Sequence, residues 1–413
     1  NYDKAIEYYK KAMELIKNID GKTGEVDYET INEYLNEVYI HGKDYREAIE
    51  RSRTLLEQSM KSGNKKAIAK TFINLGLIYR KQGNYFEAKM NYDKALEYLK
   101  PLKDHNGLAV VYYNLGILYE LQGYIEEAKE YYKKSVNEAT IIKNGYSLGK
   151  AYAALATLER SMHNYGESLS YYRKAIIAYQ NARAIEDIIE TQIEIGTLFE
   201  EKYDYTNALN YYKEAEKVIT KMVTKKLFFN EGPVVHKSNL ELKVLQKQFY
   251  CLVHKQDYNE ASKLISRIMP QIDLTTNEGL SIENINLLVE IGKLKILLNN
   301  IEEGYIYFDK VLDILYNTKK YDIYINVTIN EILNLYIDNN SFDRARRLIE
   351  KGKEVARENG FMLQYGDILC LEAKLELKLN NRANAGHLID EAKLIFETFN
   401  DKPRLKIVDT IMR

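Results

Sequence analysis

Small and apolar residues recur along this chain at a constant step of 40 residues. One column consists of Gly76, Gly116, Ala156 and Gly196. A second column with the same step consists of Ala48, Ala88, Ala128, Ser168 and Ala208. Repetition at a fixed period of this kind is typical of repeat proteins, in which each unit buries its apolar face against its neighbours.

Each unit contains two stretches with the apolar spacing of an amphipathic helix. In one unit the first stretch carries Phe72, Leu75, Gly76 and Tyr79, and the second carries Ala88, Tyr92 and Ala95. Between them lies a polar break whose Gly83 can end the first helix in the left-handed conformation. The pattern therefore predicts a hairpin of two antiparallel helices, a first helix A and a second helix B.

Tyrosine is the large packing residue of these hairpins. Gly76 and Ala88 allow the two helix backbones to approach closely, and aromatic side chains can fill the space around that contact. A third column consists of Tyr92, Tyr132, Tyr172 and Tyr212, in a chain with 36 tyrosines and no tryptophan. We expect these rings to be packing residues whose hydroxyl groups lie near solvent.

The order Asn-Leu-Gly-x-x-Tyr, Gly-x-Tyr-x-x-Ala and Tyr-Tyr-x-Lys-Ala resembles the tetratricopeptide repeat, most fully over residues 74–95 and 114–135. The period of 40 residues, in place of the more common period of about 34, resembles the long-helix subclass of kinesin light chains and bacterial peptide-sensing regulators. The resemblance implies an all-α fold, a right-handed α-solenoid of about nine and a half hairpins.

The quality of the repeats predicts four segments. Strong repeats form an N-terminal array over 1–220, and degenerate repeats form a C-terminal array over 239–400. Between them, 221–238 is predicted to be an insertion or loop, because Ala208 and Ala261 are 53 residues apart. Residues 401–413 are predicted to be a capping helix or a linker to a further domain. Since the chain begins at Asn1 inside a repeat, we expect it to be a piece of a longer protein.

Groupings of residues typical of catalysis or metal binding are absent from the sequence. The 6 histidines are scattered, and they form no His-x-x-x-His pair, nor do the cysteines form a Cys-x-x-Cys pair. Gly21-Lys22-Thr23 lacks the glycine of a phosphate-binding loop, since Ile16 occupies that position. We therefore expect no enzyme activity, no cofactor and no metal within these residues.

Charge and composition limit the partners. Lys and Arg number 59 against 60 Asp and Glu, a formal net charge of −1, whereas a nucleic-acid-binding region usually carries a basic patch. The sequence has no apolar run of the length that spans a membrane. Cys251 and Cys370 lie in apolar helical patterns, which is typical of buried thiols in a reducing compartment. We expect a cytoplasmic protein without nucleic-acid or membrane partners.

The resemblance also implies where a ligand lies, because extended peptides bind along the A helices of tetratricopeptide-repeat proteins. By the repeat columns, Asn74 and Asn114 face that concave groove, where an amide can both donate to and accept from a peptide main chain. The candidate ligand-binding residues are Lys70, Asn74, Arg80, Lys81, Asn114, Lys150, Arg160 and Glu194. The charge changes sign along this groove, which favours a ligand of matching polarity.

These observations favour a non-catalytic module that binds a peptide or a protein segment. We expect it to be the sensory or regulatory part of a bacterial signalling protein. One alternative is the input region of a larger enzyme, such as a nucleotide cyclase or a histidine kinase, whose catalytic domain lies outside this chain. A second alternative is a structural adaptor with several partners. A homodimer formed through the opening half-repeat is also left open.

Overall fold

The computed structural model describes residues 2–17, 34–35, 38–39, 41–229, 235–272, 281–317 and 323–411. Those residues are α-helical apart from short connections and a 3-10 turn at Met269–Gln271, and they contain no strand. The all-α repeat fold predicted from the sequence is thereby confirmed. The chain divides into two compact units, residues 1–244 and 245–413.

In the first unit, helices A and B alternate from the third helix onward. Its helices are α1 (Tyr2–Lys17), α2 (Tyr45–Ser62), α3 (Lys65–Gln82), α4 (Tyr85–Leu102), α5 (His105–Leu121), α6 (Ile125–Ile141), α7 (Gly145–Ser161), α8 (Tyr165–Ala182), α9 (Ile185–Glu201) and α10 (Tyr205–Phe229). The boundary between the units falls within α11 (Val235–His254). The predicted insertion over 221–238 therefore includes the end of α10 and the start of α11, and residues 230–234 lie outside the described residues.

Polar turn residues set the ends of these helices. The side chains of Asn64 and Asn84 accept hydrogen bonds from the backbone N–H groups of Ala67 and Glu87, at 3.1 and 3.2 Å. Such bonds satisfy backbone donors that have no partner inside the helix. At the end of α3, Gly83 has φ +86°, which confirms the left-handed cap predicted there.

The glycine column exists because a tyrosine ring of helix B lies on the backbone of helix A. A Cβ atom at Gly76 would lie 2.4 Å from Cε1 of Tyr92, and one at Gly116 would lie 2.5 Å from Cδ1 of Tyr132. Both rings are fully buried, at 0% and 1% exposure. The expectation that their hydroxyl groups lie near solvent is therefore wrong. The Tyr132 hydroxyl instead donates to Oε2 of Glu120 at 2.5 Å.

The second unit repeats this packing with different residues. Its helices after α11 are α12 (Tyr258–Ile268), α13 (Ile282–Leu297), α14 (Ile301–Asn317), α15 (Ile323–Asp338), α16 (Phe342–Glu358), α17 (Met362–Lys378), α18 (Arg382–Thr398) and α19 (Lys402–Ile411). A Cβ atom at Gly292 would lie 2.4 Å from Cε1 of Phe308, which is itself fully buried. Phenylalanine thus takes the place that tyrosine has in the first unit.

Side-chain pairs join successive A helices of the second unit. Nζ of Lys374 on α17 donates to Oδ1 of Asn334 on α15 and lies 2.9 Å from Asp338 Oδ1. Arg404 on α19 then contacts Asp367 on α17 with two nitrogens, at 2.8 and 3.0 Å. Helix α19, which occupies the predicted capping segment, is therefore tied to the hairpin before it.

Candidate functional site

A cavity of about 490 Å³ lies between the A helices α3 and α5 of the first unit. Lys70, Ile73 and Asn74 line it from α3, and Asn106 and Val110 line it from α5. These positions face each other because α3 and α5 are the first helices of neighbouring hairpins and are one period apart. The cavity has apolar walls with a few amides and ammonium groups, which is the usual composition of a ligand site.

The two candidate asparagines differ in their surroundings. Among the residues that the structure describes, the side-chain amide of Asn74 has no hydrogen-bond partner. The amide nitrogen of Asn114 donates to the carbonyl oxygen of Val110 on its own helix at 3.0 Å. Asn114 therefore still offers an acceptor oxygen and a second N–H, whereas Asn74 has its full hydrogen-bonding capacity.

Two further candidates lie near Tyr113, a residue that the sequence did not single out. Burial raises the pKa of the Tyr113 hydroxyl, while the positive charges of Lys150 and Arg80 oppose that shift. The Lys150 ammonium also lies 4.7 Å from the ring centroid of Tyr146 on the same helix. Charges on α3 and α7 thus act on one half-buried phenol of α5.

Arg160 and Glu194 form an ion pair with each other. Nη1 of Arg160 on α7 donates to Oε2 of Glu194 on α9 at 2.6 Å, and Nε lies 3.6 Å from Oε1 of Glu201. Both partners are partly exposed, so the pair contributes little to stability, about 0–1 kcal/mol. Lys81 is exposed at the end of α3 and does not line the cavity.

The structure therefore brings together Lys70 and Asn74 in one cavity, whereas Arg80 and Lys150 share only an electrostatic influence on Tyr113. Sequence reasoning missed Asn106 and Val110, although helical spacing carried a usable signal. They lie eight and four residues before Asn114, so they share its face of α5. Tyr113 carried no such signal, because one tyrosine among 36 in the chain does not stand out.

The described residues contain neither a metal-binding cluster nor a membrane-spanning helix. In that part of the chain, no group of three or more His, Cys, Asp or Glu side chains could hold a metal ion. None of the described helices is long and apolar enough to cross a membrane. Cys251 and Cys370 are buried and unpaired with each other, and burial raises the pKa of the Cys370 thiol to about 12.

Comparison with known proteins gives one family. The family model of the tetratricopeptide repeat matches residues 67–137, and a second model of the same repeat matches residues 1–19. No curated protein sequence matches the chain.

Several solved structures have a similar fold. The apo form of the quorum sensor NprR from B. thuringiensis is 16% identical, with a TM-score of 0.52 over 91% of this chain and 100% of that chain. The apo form of RapI is 12% identical, with a TM-score of 0.43 over 80% of this chain and 98% of that one. BtubC (BKLC) from P. vanneervenii is 15% identical, with a TM-score of 0.48 over 55% and 90% of the two chains. At these identities the likeness concerns the fold alone.

Proposed function

We propose that this chain, which belongs to the tetratricopeptide-repeat family, binds an extended peptide or protein segment along the A helices of its first unit. The observation that supports this most is the cavity between α3 and α5. There the unpartnered amide of Asn74 and the ammonium group of Lys70 share one space with Asn106 and Val110. A peptide main chain has the alternating donors and acceptors that such amides can bind without reading side chains.

The charges favour an acidic ligand. Lys70 lies at the cavity, and the charges of Arg80 on the same helix and of Lys150 on α7 act on Tyr113 of α5. The acidic side chain of Glu194, which the sequence placed in the same groove, is already paired with Arg160. The cations of this surface would therefore attract carboxylates, and electrostatic complementarity of this kind mainly raises the association rate and the selectivity.

The biological role belongs to the same proposal. NprR, whose fold is similar, is described as a quorum sensor, and this supports a sensory or regulatory role for the present chain in bacterial signalling. The input region of a larger enzyme and an adaptor with several partners remain the alternative roles. The three roles share the groove and differ in what the rest of the protein does.

The groove is tested by selecting binders from a random peptide library and measuring their affinity by fluorescence anisotropy. The variant Lys70→Ala/Asn74→Ala removes both polar side chains from the cavity. The variant Lys133→Ala/Asn137→Ala is the matched control, because it removes the same two residue types at the same spacing from an exposed face of α6. Circular dichroism checks that both variants fold.

We expect selected peptides to lose affinity by about tenfold or more in the cavity variant, as is usual for central contacts, and to keep it in the control. Equal binding by both variants would mean that peptides bind elsewhere. A library from which the unaltered protein selects nothing would contradict peptide binding itself.

A further inference from the structure

A second cavity, of about 650 Å³, lies where α3 and α5 begin. It is formed by the turn that precedes each of these helices. Its charged lining consists of Lys65, Lys66, Lys103, Asp104 and His105. Cations therefore outnumber the single carboxylate among the residues that line it.

Two of the lysines that line this cavity take no part in its ion pairs. Asp104 uses one oxygen to accept from the backbone N–H of Gly107, and its other oxygen lies 3.3 Å from Nζ of Lys66. Nδ1 of His105 lies 2.6 Å from Oε2 of Glu138. Within the part of the chain that the structure describes, neither Lys65 nor Lys103 has an ion-pair partner.

Lys103 occupies a left-handed turn position, as residues in other turns of the array do. Its φ is +50°, in the left-handed region, whereas the equivalent position of the preceding turn is Gly63 with φ +70°. The next two turns again have cations in this conformation, Lys143 with φ +53° and Arg183 with φ +56°. A side chain in this region is strained, and the attraction of a cation to the end of a helix offsets only part of that strain.

This second cavity is continuous with the groove. Asn64, Lys66, Asp104 and Asn106 line both cavities. A ligand that lies between α3 and α5 therefore passes from amides and apolar side chains at Asn74 and Val110 to unpaired cations at Lys65 and Lys103.

We infer that this basic cavity binds a run of acidic side chains at one end of the peptide, and so fixes the direction in which the peptide lies. The inference rests on the proposed peptide-binding function. Lys65 at the start of α3, Lys103 before α5 and Lys143 before α7 place cations on three successive hairpins, which is more charge than one carboxylate can neutralise. An acidic run therefore complements this edge better than a single terminal carboxylate does.

The test uses pools of random peptides blocked at both ends, which removes their terminal charges. One pool carries an Asp/Glu run at its N-terminal end, one carries it at its C-terminal end, and one carries Gly and Ser instead. A further neutral pool keeps its terminal carboxylate. The protein is compared with Lys65→Gln/Lys103→Gln and with a control of equal charge, Lys133→Gln/Lys213→Gln, whose lysines are exposed on α6 and α10.

We expect one of the two acidic pools, and not the other, to bind about tenfold more tightly than the neutral blocked pool at low salt. This preference is lost in Lys65→Gln/Lys103→Gln and kept in the control. The inference is overturned if both acidic pools bind alike, if the preference survives that variant, or if only the terminal carboxylate matters. In those cases the proposed groove would still be supported if the neutral pool binds and if Lys70→Ala/Asn74→Ala weakens that binding. If no pool binds at all, both the proposed peptide-binding groove and this inference are contradicted.

Discussion

Replacing Gly76 by alanine tests the contact on which each hairpin depends. The added Cβ would lie 2.4, 2.6 and 2.9 Å from three ring atoms of Tyr92. Ordinary contacts between carbon atoms are about 3.5–4.0 Å, so the ring would have to move by roughly 1 Å. Tyr92 is 0% exposed and cannot move into solvent.

Two effects of opposite sign determine the magnitude. Overpacking a buried site costs about 1–3 kcal/mol, whereas replacing glycine by alanine inside a helix contributes about 0.8–1.0 kcal/mol of stability. The net result is a loss of roughly 0–2 kcal/mol in the free energy of unfolding. Gly166→Ala on α8 is the matched control, because a Cβ there has no neighbour within 4 Å. It should stabilise the protein.

A single unfolding free energy is poorly defined for a long repeat array. Urea unfolding followed by circular dichroism should therefore be combined with hydrogen exchange of the amides in α3 and α4, which assigns the loss to this hairpin. Both variants add one methyl group to a helix and only that of Gly76→Ala meets a neighbour, so the difference between them is dominated by the packing cost. Exchange that accelerates equally in every hairpin would point to a general effect of the substitution.

The reasoning is refuted if Gly76→Ala is as stable as Gly166→Ala. A sharper test is the double variant Gly76→Ala/Tyr92→Leu, which replaces the clashing ring by a smaller side chain. If the clash is the cause, the second change should cost less in the presence of the first than in its absence. Strict additivity would mean that the ring and the Cβ do not meet.

Three further outcomes are expected. Asp204→Ala should lower the free energy of unfolding by about 1 kcal/mol at neutral pH. Hydrogen bonds from Asn207 hold the pKa of the Asp204 carboxyl below its usual range, so this loss of stability should vanish as the pH falls below about 4. Arg404→Leu should lower the free energy of unfolding by about 1–2 kcal/mol, with solvent screening of the ion pair taken into account. Because burial raises the pKa of Asp367, this variant should regain stability in acid. Lys103→Gly should stabilise the protein by up to about 1 kcal/mol by relieving its left-handed backbone.

Each of these outcomes has its own check by unfolding at several pH values or by hydrogen exchange. Asp204→Asn keeps an acceptor that does not titrate, so its stability relative to Asp204→Ala should not depend on pH. Arg404→Leu should accelerate exchange in α19 before other helices, and uniform acceleration would contradict a local role. Lys133→Gly in α6 should instead lose about 1 kcal/mol, and a similar loss for Lys103→Gly would refute the strain.

The architecture was predictable because it depends on contacts inside one hairpin. Gly76 and Tyr92 are close in sequence, so their columns reveal the packing directly. The turn at Gly83 follows from the chemistry of the residue itself. The segment boundaries could not be placed from the columns in the same way, because helix covers much of 221–238 but no sequence column extends through it.

The groove was harder to predict because its contacts join different hairpins. The columns identified which residues lie on the A helices, but the pairing of Arg160 with Glu194 depends on how α7 and α9 are placed side by side. For the same reason the influence of Lys150 and Arg80 on Tyr113 could be seen only in the structure. The role of the candidate residues in binding stays a prediction.

The contact between glycine and tyrosine has a consequence for how such a chain can evolve. Gly76 and Tyr92 belong to one hairpin, as do Gly116 and Tyr132. A gene duplication of one 40-residue period would therefore add a hairpin that already contains both halves of its own interior contact. Growth or loss by whole periods keeps each ring in register with its glycine, whereas duplication of a segment that is not a whole number of periods would separate a ring from the backbone on which it packs.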